Sequence, residues 1–175
     1  MRILGLDISS QTIGFSVLET TDDIPKVVVC SFFKPPKNGT YIERLAQTRS
    51  KIIEILNEYR PDTIAIEQIT QFMQGRSTAK TIIALARFNC CIGLACYDFN
   101  NQSPEFYSVM AIRHGIKLNK KLPDKLEIPE LVASRLKIKF PYVFMKKKTD
   151  KIAVESFDAA DSLAVAYHHY MKLNK

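Results

Sequence analysis

Cysteine, glycine and acidic residues are all in short supply in this chain, and each shortage excludes something. The four cysteines, Cys30, Cys90, Cys91 and Cys96, form no Cys-x-x-Cys pair, and no histidine stands at zinc-ligand spacing from them. Three fall in one apolar run, so they read as buried thiols, a usage that suits a reducing compartment. The N-terminus enters a strand-like segment with no signal-peptide pattern. The most apolar stretch, residues 81–99, is interrupted by Arg87 and Asn89 and falls short of an uninterrupted membrane span. A soluble intracellular protein with no membrane partner is the expectation. Eighteen acidic residues against 25 basic ones leave a net charge of +7, a field that attracts polyanions, with nucleic acid the leading partner. With 175 residues, 46% of them hydrophobic, and no long low-complexity stretch, the chain fits one domain over 1–175 with its own core.

Among the few acids, four sit where acids are costly. Asp7 lies inside ILGLDIS (residues 3–9), Glu67 closes TIAIE (63–67), and Asp158 and Asp161 lie in FDAADSLAV (157–165). A carboxylate among apolar strand residues loses hydration on folding, at a cost of order several kcal/mol unless a partner neutralises it. No lysine or arginine recurs beside all three segments. The economical partner is a hard divalent cation such as Mg2+, which takes oxygen ligands and leaves water and phosphate oxygens bound.

Residues 3–9, 12–18 and 27–33 are short apolar, β-branched runs separated by turn-like segments, which predicts three antiparallel strands. Pro35 and Pro36 break the pattern, Thr40 can cap a helix whose apolar positions recur near helical spacing, and Pro61 ends it. A strand over 63–67 leads into a polar loop, 70–77, and a long helix over about 78–97. Residues 105–109 read as a fifth strand and 125–136 as a helix, with Pro129 in its first turn or splitting it. A basic loop over 146–151 precedes a final helix over 157–171. The pattern is α/β: a mixed five-stranded sheet, three antiparallel strands then parallel ones, flanked by helices.

Both Asp7 and Glu67 end a strand, and ligand sites gather beyond strand carboxyl ends, so adjacent first and fourth strands would bring them together. Asp158 and Asp161, three apart in the first turn of a helix, can be aimed at that point. Taken singly, each acid has an ordinary explanation: a helix-dipole partner, a solvated strand end, a turn acceptor. The apolar contexts together favour an all-oxygen pocket.

The segments LGLDISSQTIGF (residues 4–15), IAIEQ (64–68) and DAADSLAV (158–165) resemble, in order and spacing, the three acidic motifs of RuvC-type Holliday junction resolvases. The resemblance covers nearly the whole chain, and DAADSLAV is its most specific part. It implies the ribonuclease H-like fold, a homodimer, and metal-dependent paired nicking of four-way DNA junctions, or of other branched DNA, leaving 5′ phosphate and 3′ hydroxyl ends. It also implies a cytoplasmic protein of a bacterium, or of a phage in a bacterial cytoplasm. By motif, the metal ligands would be Asp7, Glu67, Asp158 and Asp161. The chain departs from the family where Asp-Pro-Gly-Ser becomes DISS (residues 7–10). It departs again where Ile69 takes the position of an aromatic junction wedge, for which Phe72 is a displaced candidate.

The mechanism expected on that basis places two Mg2+ ions about 4 Å apart, with Asp7 bridging, Mn2+ being an acceptable substitute. Arg113 and Lys125 match the family's basic catalytic residues by place and would steady developing negative charge. Phosphate contacts are expected from Arg76, Lys117, Lys120, Lys121, Lys125, Lys146, Lys147, Lys148 and Lys151. The apolar helix with Ile82, Ile83, Leu85, Ala86, Ile92 and Leu94 is the candidate dimer contact. LDISSQT (residues 6–12) also looks like the phosphate loop of actin-like sugar kinases. Those need two such domains, whereas this chain has length for one, six glycines and no later Gly-rich adenosine loop, so no nucleotide cofactor is expected. Two other readings are a non-catalytic scaffold for branched DNA and a flap or RNA-processing nuclease of the same fold.

Overall fold

The computed structural model describes residues 1–21, 24–69, 78–118, 121–145 and 148–174. Strands β1 (Arg2–Ile8), β2 (Ile13–Glu19) and β3 (Lys26–Phe33) form the expected antiparallel meander. Helix α1 (Tyr41–Tyr59) follows, then β4 (Thr63–Glu67), α2 (Ala79–Asn100), β5 (Glu105–Tyr107) and α3 (Val109–Ile116). A 3-10 turn (Lys125–Glu127) leads into α4 (Ile128–Leu136), and the hairpin β6 (Phe144–Met145) and β7 (Lys148–Ile152) into α5 (Glu155–Leu173). The sheet order is β3-β2-β1-β4-β5, with β4 parallel to β1 and β5 parallel to β4.

Local chemistry sets the helix ends. Thr40 and Glu43 make a reciprocal capping box at α1, the Thr40 amide donating to Glu43 Oε2 at 2.6 Å, and Arg60 closes the helix in the left-handed region (φ 47°) just before Pro61. Pro129 sits in the first turn of α4, where its missing N–H costs nothing; the 3-10 turn is the split.

Strand alternation divides the core in two. Leu4, Leu6 and Ile8 of β1 point to the face covered by α1 and α2, where Phe88 and Ile92 pack with Ile52 and Leu56. By length and composition alone, the 22-residue α2 is apolar enough to cross a membrane, which Arg87 and Asn89 had argued against. Its stripe of Phe88, Asn89, Ile92, Ala95 and Cys96 is buried, with the Tyr41 ring edge-on to Phe88 at 6.0 Å. On the opposite face Ile3 and Ala65 pack under α3, α4 and α5. His169 ties this face together, its two ring nitrogens 2.8 Å from Thr63 Oγ1 and the Tyr107 hydroxyl.

Helix α5 lies unusually close to the sheet. A Cβ added to Gly5 would overlap the Ser162 carbonyl and the Ala166 backbone, and one added to Gly14 would overlap the Asp158 carbonyl. In the space they leave, Ser16 Oγ lies 2.7 Å from Ser162 Oγ, which itself donates to the Ala159 carbonyl.

Three expectations needed correction. The stretch 105–109 is a strand only to Tyr107; Ser108 then caps α3, accepting from the Ala111 amide, so the expected strand ran two residues too far and the short helix after it was not anticipated. The basic loop over 146–151 is in part strand β7, because the Ala153 amide donates to the Val143 carbonyl and draws the two segments into a ladder. Helix α5 starts at Glu155, which moves Asp161 into its second turn.

Replacing Gly14 with alanine should destabilise the protein by about 1–3 kcal/mol through overpacking. Gly93→Ala, where the added carbon meets only the Phe106 ring at 3.7 Å, should be neutral or stabilise by up to about 1 kcal/mol as a helix-interior change. Urea midpoints of the two variants beside wild type check both.

Candidate active site

Parallel pairing of β1 with β4 runs Ile3 to Thr63, Gly5 to Ala65 and Leu6 to Ile66. One step further along the same register sets Asp7 beside Glu67, on the face that α5 covers. Asp7 also pairs with Gly14 of β2, the residue whose bare Cα admits the α5 backbone at Asp158. The glycine that lets the helix in therefore sits directly across the ladder from the acid that the helix must reach. Asp7, Asp158 and Asp161 each present a carboxylate oxygen within 4.8 Å of the other two. Glu67 stands on the neighbouring strand, outside that trio.

Among the described residues two cations act on the acids. Lys125 in the 3-10 turn reaches Asp158 Oδ1 at 3.3 Å and Asp161 Oδ2 at 3.1 Å. Arg113 of α3 is close enough to act electrostatically on Glu67 and Asp161. Opposing charge does not balance the set. Burial, then the Glu67, Asp161 and Asp158 charges, push the Asp7 carboxyl well above the usual carboxylate range. Burial and Asp161 push Glu67 up to about 7, against the pull of Lys125 and Arg113. Burial raises Asp161 as well, with Lys125 opposing. For Lys125 burial works against the ammonium, yet Asp161 and Asp158 together hold it above its ordinary value. An all-oxygen trio short of positive charge has the donor set of a hard divalent cation.

The turn after Asp7 is stiffened from two sides. Ser9 Oγ accepts from the Thr12 amide at 2.9 Å and donates to the Thr12 carbonyl at 2.7 Å. Arg44 of α1 donates to the Ser10 carbonyl at 3.2 Å and the Pro36 carbonyl at 2.6 Å. Neither Arg44 nor the Gly5, Gly14, Ser16 and Ser162 packing was picked out from the sequence. Glycine in the apolar runs LGLD (residues 4–7) and IGF (13–15) was the signal available for the close approach.

The remaining sequence candidates lie apart from the acids. Lys117 follows α3 half-buried, Lys121 is exposed and paired with Asp124 at 3.7 Å, Lys148 is in β7, and Lys151 is exposed at its end. Phe72, Arg76, Lys120, Lys146 and Lys147 lie outside the described residues.

The raised Glu67 carboxyl makes a signed prediction for the metal-free protein. A group raised in the folded state contributes stability below its unfolded value, here 4.5, and loses it as pH rises through about 7. Glu67→Gln should therefore match wild type near pH 4 and exceed it above pH 7 by roughly 1–3 kcal/mol. Thermal unfolding in EDTA across that range reads the difference.

The family model "Crossover junction endodeoxyribonuclease RuvC" matches residues 3–169. Crossover junction endodeoxyribonuclease RuvC of Dehalococcoides mccartyi is 28% identical over 171 residues, covering 97% of this chain and 92% of that one. The Francisella philomiragia protein of the same name is 29% identical over 170 residues, covering 97% and 88%. In structure the chain is similar to T. thermophilus RuvC in complex with Holliday junction substrate, with a TM-score of 0.75 at 16% identity over 99% of this chain and 95% of that one. That likeness gives the fold as ribonuclease H-like. With the family model matched along nearly its entire length, the chain belongs to the RuvC family of crossover junction endodeoxyribonucleases.

Proposed function

We propose that this protein is a Mg2+-dependent endonuclease that resolves four-way DNA junctions, built as one nuclease domain over residues 1–175. The observation that carries the reading is the convergence of Asp7, Asp158 and Asp161 within 4.8 Å in a member of a metal-dependent nuclease family. These three aspartates, with Glu67 beside them, are the residues to hold Mg2+, or Mn2+ in its place, two ions per site. When bound, the metal supplies Lewis acidity for the scissile phosphate and lowers the pKa of an attacking water.

The chain's own groups do the rest. The side chains of Asp158 and Asp161 are only 19% and 15% exposed, while Lys125 is 50% exposed. Lys125 therefore spans the boundary between the acids and the solvent from which a phosphate arrives. There its ammonium offsets carboxylate repulsion and faces the negative charge that grows on the phosphoryl oxygens. Arg113 adds positive potential from the Glu67 side. Lys117, Lys121, Lys148 and Lys151, together with Arg76, Lys120, Lys146 and Lys147 outside the described residues, supply sequence-independent attraction to DNA phosphates. Binding then falls steeply with salt.

Two simultaneous nicks need two active sites at a fixed separation, which a twofold dimer provides. The surface we assign to that contact lies on α2 and the adjoining edge strand β5. Ile83 is exposed on α2, and Leu94, Tyr97 and Phe106, also exposed, line an apolar cavity of about 470 Å3. The Asn89 amide nitrogen at its edge is buried with no hydrogen-bond partner among the described residues. The bacterial relatives support a bacterial cytoplasm as its setting.

Asp7→Asn should lower the rate of four-way junction cleavage at least a hundredfold while junction binding in EDTA stays at wild-type strength or tighter. Mg2+ should raise the melting temperature of wild type and not of the variant. Cleavage of synthetic four-way, three-way and flap DNAs and of linear duplex, with and without Mg2+, measures this and separates a resolvase from a flap nuclease or an idle scaffold. Tyr97→Glu should shift the protein from dimer to monomer in analytical ultracentrifugation, with the fold retained by circular dichroism.

A further inference from the structure

The hairpin β6–β7 is bolted to the helix that carries half of the acids. Ser156 Oγ, in the first turn of α5, accepts from the Val143 amide at 2.9 Å and reaches back to the Val143 carbonyl at 3.2 Å. The Ala153 amide donates to the same carbonyl at 2.7 Å. Ser156 is itself buried, so these hydrogen bonds tie the hairpin base to the helix two residues before Asp158.

What this fixed hairpin presents to solvent is apolar. Phe144 is 51% exposed and Val154 72%, with Val143 and Ile152 also exposed. Phe144 and Ile152 face each other across the ladder, so their side chains share one face. Val154 already has helical angles (φ −58°, ψ −32°). Asp158 and Asp161 follow it by four and seven residues and therefore lie on the same helix face, the nearer about 6 Å along the axis. An exposed apolar cluster thus borders the acid trio along one helix. Lys151 precedes Ile152 on β7 and is exposed, and the half-exposed Lys125 ion-pairs with Asp158 and Asp161 on the helix that Val154 opens. Apolar side chains interleaved with cations, beside a phosphate-cutting centre, match the two faces of one ligand: apolar base planes and an anionic backbone.

Resting on the junction-cleavage reading above, we propose that Phe144, backed by Ile152 and Val154, is a stacking platform for a base exposed at the branch point of the DNA. The hairpin places that base while the adjoining acids address the phosphate beside it. Paired bases inside a duplex offer no free face, so this contact favours branched over linear DNA without reading sequence.

The test is binding, in EDTA so that no strand is cut, to a synthetic four-way junction and to a linear duplex of the same base composition, across a range of salt. Phe144→Ala should weaken junction affinity roughly tenfold, leave duplex affinity unchanged, and keep the slope of log affinity on log salt, because no phosphate contact is lost. Phe144→Tyr should restore wild-type affinity, and Ile152→Thr should weaken junction binding in the same direction. Unchanged junction affinity in both Phe144→Ala and Ile152→Thr would overturn the proposal. So would equal loss on both DNAs, the result expected if the patch instead docks a protein or merely holds the hairpin. Wild-type cleavage in Mg2+ is scored separately. A protein that binds junctions through Phe144 yet cuts none would refute the nuclease reading and uphold the platform; one that cuts junctions with Phe144→Ala binding them normally would refute the platform alone.

Discussion

The distance between helix α5 and the first two strands governs this molecule. At Gly5 and Gly14 the helix backbone occupies the volume where other residues carry a Cβ, and Ala159, Ala160 and Ser162 present a correspondingly small helix face. Packing of this kind is close to rigid, because interiors hold few voids and resist compression. The same contact that fills the core between sheet and helix also fixes where Asp158 and Asp161 stand relative to Asp7. Stability and the geometry of the candidate site are one interaction here, and a change of one methyl group at Gly14 acts on both.

That coupling has an electrostatic cost. Burial first, and then mutual repulsion among acids brought within 4.8 Å with Glu67 adjacent, raise the carboxyls of Asp7, Glu67 and Asp161 above their ordinary values. Lys125 offsets part of the repulsion, and it does so from a 3-10 turn whose ends are pinned by Asp124 and Glu127. A native site that is least stable when fully ionised gains most from any cation it admits. Functional sites commonly store such strain because the surrounding fold is stable enough to hold it.

Much of this was legible in the sequence, for identifiable reasons. The meander and β4 were readable because their β-branched runs are bounded by turn residues, and the acids stood out because apolar neighbours make an unpaired carboxylate expensive. The boundary of α3 was missed because eight residues carry barely two turns of periodicity. The hairpin was missed because Lys148 and Lys151 look like loop residues, while its pairing depends on Ser156 and Ala153, contacts that local composition does not encode. Nor does one-dimensional spacing reveal that Gly14 faces Asp7 across a ladder and Asp158 across a layer; that coincidence exists only after β1, β2 and α5 assemble.

Substrate choice cannot come from the carboxylates, since a set of oxygen ligands treats any phosphodiester alike and the fold itself hosts many activities. It must be set by rigid surfaces held at fixed offsets from the acids. The two surfaces proposed above fit that requirement, and they differ in what they would measure. The α2–β5 patch, lined by Leu94, Tyr97 and Phe106, lies beyond the strand edge and is suited to spacing one centre from another. The hairpin, clamped by Ser156 to the first turn of α5, is the surface proposed to read the DNA beside the cut. A junction would satisfy both proposed measurements at once, whereas linear duplex offers neither an exposed base nor a second centre for a paired nick. On the proposed reading, selectivity arises from the product of two modest geometric preferences, with the acid cluster serving cleavage rather than recognition.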